Sequence, residues 1–167
     1  MNRRTFLAGT AAISALMVGG GSLLELLRVA PAEAASFPVS KTDDEWRKVL
    51  SEQQYSVLRE EGTEYAGSSP LNHEKRKGVF HCAGCAQPVY SSDTKFDSGT
   101  GWPSFWQAID KAVGTKEDNS LFMQRIEVHC SNCGGHLGHV FDDGPPPTGK
   151  RHCINGVALN FTPASAA

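Results

Sequence analysis

Five cysteines in this chain divide into a set of four and a single residue, and the division suggests two different chemical roles. Cys82-x-x-Cys85 and Cys130-x-x-Cys133 form two matching hooks, whereas Cys153 stands alone near the end of the chain. Two such hooks can present four thiolates tetrahedrally around one Zn²⁺, and a site closed in this way does no chemistry. The spacing therefore predicts a structural zinc site and leaves the fifth thiol as the candidate nucleophile.

Three other interpretations of the hooks are open. A disulfide inside each C-x-x-C would close a very short loop and stabilise little. A thiol–disulfide oxidoreductase would use one hook for redox chemistry, but it needs a thioredoxin-like βαβ context, and the surroundings suggest β-hairpins. A zinc-ribbon interaction module without catalysis would leave Cys153 and its polar neighbours without a purpose.

Cys153 has neighbours that could activate it. Arg151 and His152 precede it, and Asn155 follows two residues later on the same strand face. A nearby cation lowers the pKa of a thiol and raises its thiolate fraction. The competing interpretation is that Cys153 is a small buried hydrophobic residue.

His136 and His139 form a second chemical cluster, in the glycine-rich segment that follows the second hook. Four thiolates already satisfy a zinc ion, so these imidazoles are not needed as ligands. They could act as general acids near neutral pH, or they could simply hydrogen-bond within a turn.

Trp102 lies between Gly101 and Pro103 in a loop rich in glycine and proline. This setting predicts a rigid, exposed aromatic wall that receives an apolar or methyl group. Phe105 and Trp106, farther along, are assigned to the core.

Several ordered motifs resemble the methionine-R-sulfoxide reductases of the B type. The resemblance runs from about residue 42 to residue 163. The motifs are Cys82-x-x-Cys85, Phe96-Asp97-Ser98-Gly99-x-Gly101-Trp102-Pro103-Ser104, Cys130-x-x-Cys133-Gly134-x-His136-Leu137-Gly138-His139-Val140-Phe141 and Arg151-x-Cys153-Ile154-Asn155.

That resemblance implies a fold, an activity and a set of roles. The fold is mainly β: two packed antiparallel sheets, short N-terminal helices and a Cys₄ zinc site, remote from catalysis, that joins the two hooks. The substrate is the R epimer of methionine sulfoxide in oxidised proteins. Cys153 attacks the sulfoxide sulfur and becomes a sulfenic acid. The other roles are a proton from His139, supported by His136, for the departing oxygen; Trp102 for the S-methyl group; and Arg151, Asn155 and Asp143 for hydrogen bonding.

Thr100 stands where many members of that family carry a second, resolving cysteine. Because the other four cysteines are assigned to zinc, no spare thiol remains for an internal disulfide. We therefore expect an external reductant, a thioredoxin-like protein or a small thiol, to regenerate Cys153.

The elements that position these residues follow from local patterns. Thr42 with Glu45, and Ser51 with Gln54, are capping signatures that predict two short helices, the second closing at Gly62. Strands are predicted on both sides of the first hook, from Leu121 to Cys130, and from His152 to Phe161.

The first 35 residues are predicted to be a twin-arginine export signal rather than part of the catalytic domain at 36–167. Arg3 and Arg4 precede an apolar stretch over residues 6–24, and A-x-A cleavage sites follow. The predicted location is the periplasm or another exported compartment. The alternative is an inner-membrane anchor formed by residues 6–24.

Composition limits the partners. The net charge of −2 offers no basic face for nucleic acid or for an anionic membrane, so neither is expected once the signal is removed. The length of 167 residues fits one domain, and a monomer is the expected state.

Overall fold

Two α-helices begin at the capping boxes that the sequence predicts. In this computed structural model, which describes residues 36–120 and 123–165, the Thr42 hydroxyl accepts the Glu45 N–H and starts α1 (Asp43–Val49). Ser51 starts α2 (Glu52–Glu60) in the same way. The second helix ends at Glu60, and its left-handed cap is Glu61 at φ 57°, one residue before the predicted Gly62.

Nine β-strands follow among the described residues, and every pairing between them is antiparallel. Three strands form one sheet in the order β2-β1-β9, and six form another in the order β3-β4-β8-β7-β6-β5. The strands are β1 (Gly78–Cys82), β2 (Pro88–Ser91), β3 (Lys95–Phe96), β4 (Ser104–Phe105), β5 (Val113–Asp118), β6 (Arg125–Cys130), β7 (His136–Phe141), β8 (Arg151–Ile154) and β9 (Leu159–Pro163).

Aromatic side chains join the two sheets face to face. Phe105 of the six-stranded sheet stacks on Tyr90 with ring centroids 4.3 Å apart, and it meets the edge of Phe80 at 5.0 Å. All three side chains are fully buried. The mainly β class, the two packed antiparallel sheets and the short N-terminal helices are thus confirmed.

The six-stranded sheet turns one face toward the smaller sheet and places a second set of side chains on the opposite face. His152 pairs with Phe105 and contacts the Tyr90 hydroxyl, so both side chains lie on the core face. Successive residues of a strand point to opposite faces. Cys153 and its strand partner Ser104 therefore point away from the smaller sheet.

The predicted strand from His152 to Phe161 is wrong as a single element. The chain leaves the larger sheet after Ile154, makes a 3₁₀ turn at Gly156–Ala158 and enters the smaller sheet as β9. The Glu64 carboxylate accepts the N–H groups of Gly156 and Val157 at 2.6 and 2.9 Å, which holds this turn in place. One element therefore becomes two, in two different sheets.

Three further expectations need correction or fall outside the described residues. The strand predicted from Leu121 begins at Arg125, and residues 121–122 are outside the described ranges. Trp106 is half-buried, whereas Phe105 is a core residue as predicted. The predicted export signal also lies outside the described residues. Within those residues, no helix combines the length and the apolar character that a membrane crossing requires.

Candidate active site and metal centre

A single cross-strand row gathers the polar residues of the larger sheet. The register pairs Glu127 with His139, His139 with Cys153, and Cys153 with Ser104. Directly opposed residues of antiparallel strands share a face, with Cβ atoms about 4.5–5.5 Å apart. The predicted nucleophile and the predicted acid are therefore nearest neighbours on adjacent strands.

A β-bulge brings His136 to the same site. Val128 opposes Gly138 but the next residue, His129, opposes His136, so Leu137 is an extra residue in β7. In a regular strand, residues three apart point to opposite faces. Because the bulge adds one residue, both histidine side chains lie on the same face, and the ring centroids of His136 and His139 are 5.3 Å apart. The segment is thus a bulged strand, not the turn that the alternative interpretation of these histidines assumed.

Each histidine contacts a different carboxylate, and the sequence pattern predicted neither of these two acidic residues. Glu127 Oε1 lies 2.7 Å from His136 Nδ1, and both side chains are buried. Asp118 Oδ2 lies 2.8 Å from His139 Nε2. Both acids come from strands β5 and β6, so only the sheet register, which no local motif encodes, could have revealed them.

The two histidine–carboxylate pairs differ electrostatically. Burial would raise the pKa of Glu127, but His136 and Lys116 bring the pKa below its ordinary value. Burial also lowers the pKa of His139, and the Asp118 carboxylate opposes that effect only in part. His139 is therefore neutral at neutral pH, with one ring nitrogen free to accept a proton.

Cys153 is half-buried and faces a chain of hydroxyl groups. Thr100 Oγ1 lies 4.0 Å from Cys153 Sγ, Ser98 Oγ lies 2.8 Å from Thr100 Oγ1, and Ser104 Oγ lies 2.7 Å from Ser98 Oγ. Burial raises the pKa of the Cys153 thiol, while the Thr100 hydroxyl and the Arg151 guanidinium act against it. The resting side chain is accordingly a thiol whose thiolate these two groups stabilise.

Arg151 is the cation near Cys153, and His152 is not. Burial lowers the pKa of His152 to about 4, and its ring lies on the core face. Arg151 is clamped by Asp143, whose two oxygens accept at 2.9 and 2.8 Å, and its guanidinium lies 4.5 Å from the Phe141 ring centre. The predicted Arg151 and Asp143 are therefore one unit rather than two independent groups.

Trp102 and Asn155 are both tied to Glu64. The Trp102 indole N–H donates to the Glu64 carbonyl at 3.2 Å, which holds the ring in one orientation. The ring is half-buried rather than exposed as predicted. The buried Asn155 side chain accepts the Glu64 N–H and donates to the Leu137 carbonyl. Its carboxamide is committed to backbone groups, so its role toward a substrate stays a prediction.

The four hook cysteines converge on one point. Their sulfur atoms all lie within 4.8 Å of one another, with Cys82–Cys133 at 3.7 Å and Cys85–Cys130 at 3.5 Å. Four sulfurs at about 2.3 Å from a tetrahedral zinc would be separated by about 3.8 Å. The donor set and its spacing therefore fit a Cys₄ metal site.

The two hooks have the same backbone conformation. The Ala86 N–H donates to the Cys82 carbonyl and the Gly134 N–H donates to the Cys130 carbonyl, at 2.8 and 2.9 Å. Ala86 and Gly134 both have a positive φ, 59° and 68°. The matching turns present both sulfur pairs in the same way, and the hooks link the end of β1 to the end of β6.

Comparison with known proteins gives a consistent result. Residues 50–163 match the SelR domain family. The chain is 61% identical over 124 residues to a peptide methionine sulfoxide reductase MsrB of Methanosarcina barkeri, covering 74% of this chain and 87% of that protein. It is 50% identical to the MsrB of Leptospira interrogans, covering 75% and 97%. It is 52% identical to the chloroplastic peptide methionine sulfoxide reductase B1 of Oryza sativa, covering 75% of this chain and 59% of that protein.

Proposed function

The chain belongs to the SelR-domain family of MsrB peptide methionine sulfoxide reductases, and from this membership we propose that Cys153 reduces methionine-R-sulfoxide in oxidised proteins. The observation that carries the proposal is the direct pairing of Cys153 with His139 across two strands, beside Arg151. A nucleophile next to a base with a free nitrogen is the arrangement that thiol catalysis requires.

The proton and the electrons balance in two steps. The Cys153 thiolate attacks the sulfoxide sulfur and forms an S–S bond while the sulfoxide oxygen accepts two protons and leaves as water, which gives a thiosulfonium. Water then attacks the Cys153 sulfur, the S–S bond breaks, methionine leaves and one proton is released. Cys153 is oxidised to a sulfenic acid, and the sulfoxide is reduced to the thioether.

His139 moves the proton in this scheme. Its neutral ring takes the thiol proton from Cys153 and gives it to the departing oxygen, and solvent supplies the second proton. His136 supports His139 from 5.3 Å, held by its hydrogen bond with Glu127. Before this step, Cys153 and His139 together must hold one proton, with the thiol protonated and the ring neutral. The raised pKa of Cys153 and the lowered pKa of His139 favour that state.

The other residues bind the substrate. Trp102, fixed through its indole N–H, receives the S-methyl group. Arg151 and Asp143, together with Asn155, provide the polar surroundings of the sulfoxide. Separate places for oxygen and methyl distinguish the R epimer from the S epimer.

Regeneration requires an external reductant. Two thiols reduce the sulfenic acid to the thiol, with one disulfide and one water as products, and a thioredoxin-like protein or a small thiol can supply them. Among the described residues, the remaining cysteines all belong to the metal cluster, which supports this route.

The metal in the Cys₄ site is proposed to be zinc, in a structural role. Four thiolates in a closed tetrahedron suit Zn²⁺, which would stabilise the fold by joining β1 and β6. The protein is further proposed to be an exported monomer, directed by residues 1–35. Cell fractionation of the wild type and of the Arg3→Lys, Arg4→Lys double variant tests the export, with retention through residues 6–24 as the contrary result.

The direct test of the proposed function is turnover of each epimer. Purified protein is given dithiothreitol and a peptide that contains methionine-R-sulfoxide or methionine-S-sulfoxide, and methionine is measured. We expect reduction of the R epimer only, and none by the Cys153→Ser variant. Equal turnover of both epimers, or an active serine variant, would contradict the proposal.

A further inference from the structure

Asp118 contacts His139, the residue that carries the proton in the proposed mechanism. Its Oδ2 atom lies 2.8 Å from His139 Nε2 and also accepts from Arg125 Nη2 at 2.7 Å. Its Oδ1 atom accepts the Ser120 N–H at 2.9 Å. Both carboxylate oxygens are thus fixed, and one of them is aimed at the ring of His139.

This contact decides which nitrogen of His139 carries a proton. An ionised carboxylate only accepts hydrogen bonds, so Nε2 must be the donor. In the neutral ring, Nδ1 is then the unprotonated nitrogen. Nδ1 is also the ring nitrogen nearer to the backbone, and the register pairs the backbone of His139 with that of Cys153 on the neighbouring strand.

The sheet explains why Asp118 of β5 can reach His139 of β7 past the single intervening strand β6. Asp118 is opposite Arg125, two residues along the strands from the row of Glu127 and His139, and therefore lies on the same face of the sheet. His139 has 12% and Asp118 14% of its side-chain surface exposed, so the contact is largely screened from solvent. A screened, charge-assisted hydrogen bond is stronger than the same contact in water.

We propose that Asp118, whose second oxygen is held by the Ser120 N–H, is a positioning residue that keeps the proton of His139 on Nε2 and leaves Nδ1 to exchange a proton with Cys153 and the sulfoxide. This inference rests on the proposed function, and it adds a third residue behind the Cys153–His139 pair. After Nδ1 accepts the proton, the ring of His139 is an imidazolium. The Asp118 carboxylate at Nε2 stabilises its positive charge.

Five charged or titratable groups face His139 and influence the protonation of its ring. Asp118 stabilises its protonated form, whereas Arg125 and His136 destabilise it. Glu127 and Cys153 are its partners on the flanking strands. Removal of Asp118 and removal of Arg125 should therefore change the titration of His139 in opposite directions, which general loosening of the site would not do.

The test compares Asp118→Asn and Arg125→Gln by the pH profile of kcat/KM with the R epimer. We expect Asp118→Asn to move the acidic limb to lower pH and to reduce kcat at neutral pH at least about tenfold. Arg125→Gln should move the same limb to higher pH. Glu117→Gln is the matched control, because Glu117 is exposed and adjacent in β5 but points to the opposite face.

Nitrogen NMR of His139 gives a readout that does not depend on activity. Its ring should carry the proton on Nε2 in the wild type and in Glu117→Gln, and lose this preference in Asp118→Asn. A wild-type ring protonated on Nδ1, or shifts of the acidic limb in the same direction for both variants, would overturn the inference. A wild type without R-epimer activity would refute the proposed function instead, while the NMR result would still decide the placement of the proton.

Discussion

A Cβ atom on Gly138 would lie 2.0 Å from the carbonyl oxygen of Cys153 on the neighbouring strand. No real Cβ approaches a backbone oxygen so closely, so β7 and β8 can adopt their spacing only with glycine at this position. Gly138 also directly follows the bulged Leu137. The same short segment therefore sets the distance between the strands and the placement of both histidines.

The Gly138→Ala variant should lose activity by displacing Cys153 from His139. Forcing a methyl group into this contact costs about 1–3 kcal/mol of stability, and the strand shift separates nucleophile from acid. Turnover of the R epimer and the unfolding midpoint in urea measure the two effects. Gly149→Ala is the control: φ there is +69° but no atom lies within 4 Å, so some stability should be lost while turnover persists. Full activity in Gly138→Ala would show that the spacing is not critical.

The metal site should be separable from catalysis by two serine variants. Cys133→Ser removes a buried ligand and should abolish bound zinc and lower the melting temperature, because metal binding is coupled to folding. Cys153→Ser should retain one zinc per chain and the wild-type melting temperature, yet reduce no sulfoxide. Elemental analysis and thermal melts distinguish them. The assignment of the hooks fails if Cys133→Ser keeps its metal.

What the sequence predicted depended on how local each signal was. The hooks and the capping boxes lie within four-residue motifs, and the structure places them as expected. Such motifs do not identify Glu127 and Asp118 as partners of the histidines, because only the pairing of β5, β6 and β7 brings these residues together. The break after Ile154 was missed because apolar residues continue through Val157 and Leu159, while the turn is stabilised by the distant Glu64.

The pH profile of kcat/KM should be bell-shaped with a broad plateau. The pKa of His139 is lowered from its ordinary value of about 6.5 and that of Cys153 is raised from about 8.5. Activity should fall below the His139 pKa, where the ring is already protonated and cannot take the thiol proton. It should also fall above the Cys153 pKa, where the shared proton is lost. A maximum confined to acidic pH would contradict this assignment.

Thr100 should determine how the oxidised enzyme is resolved. After one equivalent of substrate, mass spectrometry of the wild type should show a single oxygen added at Cys153 and no disulfide. In Thr100→Cys the new sulfur starts about 4 Å from Cys153 Sγ, a distance taken from Thr100 Oγ1, and a disulfide needs about 2 Å. Because the 98–101 loop contains Gly99 and Gly101, we expect it to move enough to form that bond. Thr100→Ser is the control and should give only the sulfenic acid.

Glu127 should contribute more to stability than Glu61, although both contact Lys116. Glu61 is exposed, and Glu61→Gln should cost at most about 1 kcal/mol. Glu127 is 2% exposed and also holds His136, so Glu127→Gln should cost several times more. The folded pKa of Glu127 is lowered, so its contribution is present above the unfolded value of about 4.3 and is lost as pH falls through the folded pKa. Urea unfolding at pH 7 and near pH 3.5 should therefore show a smaller difference between wild type and Glu127→Gln at the lower pH. A difference that stays constant with pH would assign the effect of the variant to packing rather than to the charge of Glu127.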